Sequence, residues 1–301
     1  MKEHPRTSFP LSLLPLASKI PRIPERITSA FSLALPSMLA RGQRWYRKPA
    51  NVPAATSPAI QVVWARHLDE VRAAQRLRYA VFAGEMGARL NTPLPGHDVD
   101  LYDDYCEHLL ARDTATGEVI GTYRMLTPAQ ARRLGGFYSE SEFDLTRLRH
   151  LRERMVEVGR SCVHPDHREG GAIMGLWGEL IRFMDRNEID AMIGCASIPM
   201  LDPVSGGING NAAASIWRQL SQTHLAPIEH QVWPRLPLPV EQLDESLIVE
   251  PPALIKGYLR LGSKVLGAPA WDPDFNCADL PVMLRLADMP ARYRKRFLGQ
   301  A

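Results

Sequence analysis

Two spacings of apolar residues alternate along residues 60–200. Ile60-Gln-Val-Val-Trp64 is a β-branched and aromatic run with strand composition. Across residues 68–86, Ala74, Leu77 and Val81 step by three and four along one face, which predicts a helix. Arg78, Phe82 and Glu85 share that spacing on a neighbouring face, which is either a solvated edge or the wall of a pocket. Residues 107–112 and 119–126 predict strands joined by Asp113-Thr-Ala-Thr-Gly117, whose turn residues suit a hairpin. Residues 155–163 and 191–198 are two further apolar strands, and between them Ile173, Leu176, Trp177, Leu180, Ile181 and Met184 trace an amphipathic helix. Strand, glycine turn, helix and strand in that order is a crossover unit, so the domain is of mixed α/β (α+β) class. A last helical stretch is expected near residues 254–266, and no internal repeat is visible.

Composition separates the front of the chain from this body. The 301 residues are 45% hydrophobic and 23% charged, which excludes a disordered chain or a fibre. Nine of the 25 prolines fall in residues 1–58, which predicts a flexible, Pro-rich basic extension ahead of a folded domain over residues 59–298. Residues 1–50 carry nine basic and two acidic side chains, about +7, so the remainder is near −4 within the total of +3. A basic leader of this kind suits an anionic membrane or a nucleic acid. Few aromatics accompany it (Trp45, Tyr46) and no binding motif follows, so nucleic acid is the weaker expectation. Pro10, Pro15, Pro21 and Pro24 cut its apolar segments, against a signal peptide, and no apolar run reaches the roughly 20 residues of a membrane span. Cys106, Cys162, Cys195 and Cys277 stand far apart without metal-ligand spacing, so reduced thiols in a cytoplasmic protein and no metal are expected.

The sharpest local signal is Val163-His-Pro-Asp-His-Arg-Glu-Gly-Gly-Ala172. Pro165 ends the strand, and Gly170, Gly171 and Ala172 open the helix, where crowded N–H groups and the positive helix end suit an anion. A plain strand-to-helix turn would want the same glycines. His108 and Asp113 have the H-x4-D spacing of glycerolipid acyltransferases, but they lie along one strand. Cys162 and Cys195 sit in apolar strands as core thiols rather than nucleophiles.

The loop, with Arg168, Gly171 and Ala172 in the motif positions, resembles the acyl-coenzyme A loop of the GNAT N-acyltransferase superfamily. The likeness extends to Leu77-Arg-Tyr-Ala-Val-Phe82, Asp100-x-Tyr-Asp-Asp-Tyr-Cys-x-His108, Gly121-Thr-Tyr-Arg124, Phe137-Tyr-Ser-Glu-Ser-Glu-Phe-Asp144, Glu157-Val-Gly-Arg-Ser-Cys-Val-His-Pro165, Gly194-Cys-Ala-Ser197 and Lys256-Gly-Tyr-Leu-Arg-Leu-Gly262. Together these are similar to the ornithine-acyl carrier protein N-acyltransferase group, the hemolysin-like branch that begins ornithine lipid synthesis. Acyl-homoserine-lactone synthases share part of the pattern, but the tryptophan expected there after Phe82 is absent, with Met86 near its place. A non-catalytic acyl-thioester-binding module is the further alternative.

The resemblance implies a GNAT-like fold, a central twisted mixed β-sheet flanked by helices, with a C-terminal extension over about residues 199–298. It implies no bound cofactor, acyl carrier protein (a 4'-phosphopantetheine thioester) as partner and co-substrate, ornithine as acceptor, and peripheral contact with the inner face of an anionic membrane. Attack of an amine on a thioester needs a base, orientation and an oxyanion donor. Glu157 is the expected base, with an ion pair to Arg124 or Arg160 as its structural alternative. Arg160 stands with it as a catalytic candidate, although strand alternation puts the two on opposite faces unless Gly159 marks a bulge. Asp98, Asp100 and Asp103 are candidate contacts for a cationic acceptor, with a solvated acidic loop as the alternative. Arg78 and Arg124 either organise that run or hold the substrate carboxylate, and Phe82 completes the expected substrate contacts. Arg168, Gly170, Gly171 and Ala172 are the expected phosphopantetheine contacts.

Overall fold

The computed structural model describes residues 60–169, 171–200 and 207–299, so the basic leader and Gly170 lie outside the described residues. β1 (Ile60–Trp64) leads into α1 (Leu68–Tyr79), which continues through a π-helical turn (Ala80–Glu85). Glu70 closes the start of α1 by accepting the N–H groups of Arg66 and His67 at 2.6 and 3.2 Å, and its negative charge suits the helix N-terminus. The stripe of Ala74, Leu77 and Val81 is buried as its spacing predicts. The wider π-turn carries Phe82 against Cys162 and edge-on to Phe275 at 5.9 Å.

β2 (Glu107–Asp113) and β3 (Val119–Leu126) form the expected hairpin and pair antiparallel, with β1 along the outer edge of β2. α2 (Pro128–Leu134) follows, capped by Thr127 with Pro128 in its first turn, where the missing proline N–H costs nothing. β4 (Phe143–Asp144) precedes the crossover of β5 (Met155–Val163), α3 (Ala172–Arg186) and β6 (Ala191–Pro199). Leu176, Leu180, Ile181 and Met184 of α3 are fully buried against the sheet. At about 1.5–3 kcal/mol for each large apolar side chain, that face anchors the helix.

Beyond β6 come α4 (Asn211–Thr223), β7 (Trp233–Pro234), α5 (Ala253–Arg260), β8 (Lys264–Val265), β9 (Ala270–Asp272), β10 (Cys277–Arg285) and α6 (Ala291–Leu298). The main sheet runs β1-β2-β3-β5-β6-β10-β8, with β9 also on β10, while β4 and β7 pair separately. The helix expected to reach residue 266 stops at Arg260. Gly262, at φ +97°, turns the chain there with its Cα against the carbonyl of Asp288, a place no side chain fits, and β8 begins two residues on. Among the described residues no helix is long and apolar enough to cross a membrane.

The feature that makes a site is the partial union of β5 and β6. Their parallel pairing covers only Met155↔Ala191, Val156↔Met192 and Glu157↔Ile193. Gly194 still touches the carbonyl of Val158, and beyond that point the strands part. β6 is held on its other side by antiparallel pairing with β10 from Ala191 to Pro199.

Candidate active site

Where β5 and β6 part, a cavity of about 600 Å³ opens. Its wall includes Phe82, Arg124, Glu157, Arg160 and Arg168, which the sequence reading singled out. β5 turns into it through a bulge: Thr122 pairs with Cys162 and Arg124 with Gly159, so one residue of β3 faces two of β5. Arg160 occupies the bulge at φ +49°, left-handed for a residue that is not glycine, a conformation that costs of order 1 kcal/mol or more. The bulge thus centres on Arg160 rather than on Gly159, and it releases the strict alternation that would hold Glu157 and Arg160 on opposite faces.

Arg78, Arg124 and Arg160 meet Asp98, Asp100 and Asp103 in one network. Arg78 donates from Nε to Asp98 Oδ2 at 2.8 Å and from both terminal nitrogens to Asp103 at 2.9 and 2.8 Å. Arg124 reaches Asp100 at 2.5 Å and Asp103 at 3.2 Å, and Arg160 lies 3.1 Å from Asp100 and 3.2 Å from Asp98. Burial works to raise the Asp103 carboxyl, but the Arg78 and Arg124 guanidiniums win and hold it well below the usual carboxylate range. Asp100 is likewise lowered against its burial, by Arg124 and Arg160. Three positive and three negative groups therefore balance. Arg78, Asp98, Asp100 and Asp103 do not line the cavity, and all three carboxylates meet arginines; Asp98 and Asp103 are buried and Asp100 is half-buried. Through Asp100, the network positions the two arginines that do line it.

Glu157 pairs with neither Arg124 nor Arg160. Its carboxylate accepts the N–H of Tyr138 at 2.5 Å, the N–H of Ser139 at 2.7 Å and the Ser139 hydroxyl. Burial pushes its proton affinity above the ordinary carboxylate value, and the three hydrogen bonds only partly offset this. A carboxylate raised toward neutrality at the cavity wall can take up a proton.

At the other end of the cavity, Arg168 is bound bidentate to Glu85 at 2.7 and 2.6 Å, with both side chains about half exposed. Gly171, at φ +81°, is the N-cap of α3 and Ala172 its first residue. Ile173, rather than either of these, is on the cavity wall. His108 Nε2 donates to the backbone carbonyl of Asp103 at 3.0 Å and does not meet Asp113. Burial pushes the Cys162 thiol up to about 12, as befits a core thiol.

Residues 77–178 match the acetyltransferase (GNAT) domain family. The L-ornithine N(alpha)-acyltransferase of Brucella abortus (strain 2308) is 32% identical over 253 residues, 81% of this chain and 90% of that protein. The L-ornithine N(alpha)-acyltransferase of Rhodobacter capsulatus is 35% identical over 260 residues, 80% of this chain and 96% of that one. The chain belongs to the L-ornithine N(alpha)-acyltransferase family. It is an acyltransferase, with the mixed sheet flanked by helices that the resemblance implied. A solved N-acyl amino acid synthase from uncultured soil microbes is 12% identical, with a TM-score of 0.50 over 79% of this chain and 99% of that one, which shows a shared fold.

The acyltransferase also holds polar groups that periodicity did not single out, on the cavity wall and, with Ser139 and Glu142, behind it. Ser139 fixes Glu157 and lies 3.5 Å from Cys195 Sγ. Tyr123 accepts from Trp177 Nε1 at 2.9 Å and shares a 2.5 Å hydrogen bond with Tyr258. Burial, then the neighbouring Asp279, push Glu142 up to about 9, and burial raises Asp279 in turn. Glu142 and Ser139 stand in the Phe137–Asp144 motif without an assigned role there. Asp279 had a signal of its own, a lone acid in the apolar strand β10.

Proposed function

We propose that this acyltransferase moves a fatty acyl group, 3-hydroxylated, from the phosphopantetheine thioester of acyl carrier protein to the α-amine of L-ornithine, giving lyso-ornithine lipid. The amine nitrogen attacks the thioester carbonyl, a C–N bond forms, the C–S bond breaks, and the thiol leaves with a proton. Glu157 receives the proton that the ammonium loses, directly or through a water. Backbone N–H groups of β5 beyond Glu157, on the edge that β6 leaves, stabilise the oxyanion. Arg168 and the start of α3 hold the phosphate end of the donor, and Phe82, Arg124 and Arg160 line the acceptor's approach.

The observation that carries this reading is the position of Glu157, the last residue of β5 paired to β6, with its raised proton affinity at the cavity wall. Family membership supports the acceptor. Exposed Arg292, Lys295 and Arg296 on α6 suit an acidic carrier protein. Purified protein given acyl carrier thioester and ornithine is expected to release thiol and form the amide together; thiol release without an amine-dependent amide would sink the reading. Glu157→Gln should lower turnover by about 10²-fold or more while donor binding, read by thermal shift, persists. Unchanged turnover would remove Glu157 from the role.

The protein is proposed to work in the cytoplasm at the inner face of a membrane, with residues 1–50 in contact with anionic lipid. Each Lys or Arg near such a surface contributes about 1 kcal/mol. Deleting residues 1–50 is expected to weaken binding to phosphatidylglycerol vesicles while the soluble assay survives; equal binding by both forms would leave the leader without that role.

A further inference from the structure

A second acidic cluster adjoins the cavity where β6, β9 and β10 line it. Carboxylate oxygens of Glu142 and Asp279 and the sulfur of Cys195 lie within 4.8 Å of one another, and Asp272, Cys277 and Asp279 form an adjoining group at the same spacing. Asp279 is only 4% exposed, and Asp279, Cys195, Asp272 and Cys277 are all on the cavity wall. Both Glu142 oxygens are closed to solvent, with Asp279 and the Cys195 thiol as hydrogen-bonding neighbours, so Glu142 backs Asp279 from behind the cavity wall. The Cys277 thiol donates to Asp279 at 3.1 Å. Among the described residues no arginine, lysine or histidine forms an ion pair with Glu142, Asp272 or Asp279. Buried carboxyl groups left without a cation are costly, and here Asp279 and Asp272 face a cavity that can admit one.

From this juxtaposition we infer that the Glu142–Asp279 pair is the subsite for the side-chain ammonium of the acceptor, and that it selects a diamino acid over an apolar one of the same length. The inference rests on the acceptor reading above. Ser139 touches Glu157 and Cys195 alike, and Cys195 touches the acid pair, so base and subsite are linked through one hydroxyl and one thiol. The two nitrogens of ornithine are five single bonds apart, about 6 Å when extended, with a hydrogen bond of about 3 Å available at each end. A reach of that order is what the subsite asks for, and the Ser139–Cys195 step is what puts the pair near Glu157. Asp98, Asp100 and Asp103 offer no such subsite, because arginines already match their charge.

The side chains beside the Glu142 carboxyl are those of Asp279 of β10, Asp272 of β9, Cys195 of β6 and Tyr138, all acids or neutral donors; Arg235 meets Glu142 only through its backbone N–H, its guanidinium bonding the carbonyl of Glu140. An arriving ammonium therefore drives the pair to release a proton. Norvaline, which is ornithine without its second amine, is the probe. In steady-state acylation the preference for ornithine over norvaline, as the ratio of kcat/KM values, is expected to fall at least tenfold in Asp279→Asn and in Glu142→Gln, chiefly through KM for ornithine. A second measurement needs no variant. Calorimetry of the wild-type protein near pH 7.5, in buffers of different ionisation enthalpy, should show more proton release with ornithine than with norvaline. An unchanged ratio in a folded variant, or equal proton release for the two amino acids, overturns the subsite. Stoichiometric zinc binding lost in Asp279→Asn with the ratio unmoved would also overturn it, in favour of a metal site. Should the wild-type protein acylate neither amino acid, the acceptor reading itself fails, which is a different result from acylation of ornithine with an unmoved ratio.

Discussion

Two acidic clusters sit near one cavity in opposite states. Asp98 and Asp103 are buried and Asp100 half-buried beside three arginines, and the Asp100 and Asp103 carboxyls are pulled downward. Asp279 is buried and Glu142 half-buried with no ion pair to a cation among the described residues, and their carboxyls are pushed upward. The same residue chemistry thus builds a rigid strut in one place and a receptive pocket in the other. What distinguishes them is whether the fold supplies the counter-charge or leaves it to a ligand.

Removing a cation from the balanced side should have the largest effect. Arg78→Met leaves three carboxylates to two arginines and removes the main partner of buried Asp98 and Asp103, and urea unfolding is expected to show a loss of about 3–5 kcal/mol. A loss below about 1 kcal/mol would mean that the network contributes specificity and little stability.

The pH dependence of stability should split the two clusters next. Glu142 titrates near 9 in the folded chain, above its unfolded value, so between those values the folded state holds the extra proton and stability falls as pH rises. Asp103 is the reverse: its contribution is present above the ordinary carboxylate value and is lost as pH falls toward its lowered folded one. Melting temperature should therefore decline from pH 6 to pH 9, at up to about 1.4 kcal/mol per pH unit for one proton, and Glu142→Gln should flatten that limb alone. An equally steep decline in the variant would place the proton elsewhere.

The smallest effect is expected at the half-exposed Arg168–Glu85 pair. Glu85→Gln should change stability by under about 1 kcal/mol. It also frees Arg168, so the Kd for the acyl donor should tighten at low salt and converge with wild type at high salt. Identical Kd values at both salts would remove Arg168 from the phosphate end.

The elements were largely legible because each buries one face. The strand at residues 60–64, the hairpin and the crossover unit all follow from local apolar spacing, and their observed bounds lie within a residue or so of it. The place of Glu157 was legible for a related reason: it stands in the strand that precedes the glycine loop, and β5 carries it to the cavity wall. The roles of the aspartates were not. The partners of Asp100 and Asp103 on Arg160, Arg124 and Arg78 come from positions 60, 21 and 25 residues away, and charge read along a chain cannot show which cation folds back onto which acid. The same limit hid the union of Glu142 with Asp279, brought together because β10 inserts beside β6. The end of α5 was missed because a single backbone contact at Gly262 outweighs the helical pattern around it.

The backbone at Arg160 bears on how this enzyme would score in a mutational survey. Its left-handed conformation suits glycine better than arginine, so Arg160→Gly relieves a local cost while deleting two ion pairs. The two changes oppose each other in folding and compound each other in chemistry. A library ranked by cellular abundance would file position 160 as tolerant, whereas one ranked by lipid product would file it among the most sensitive.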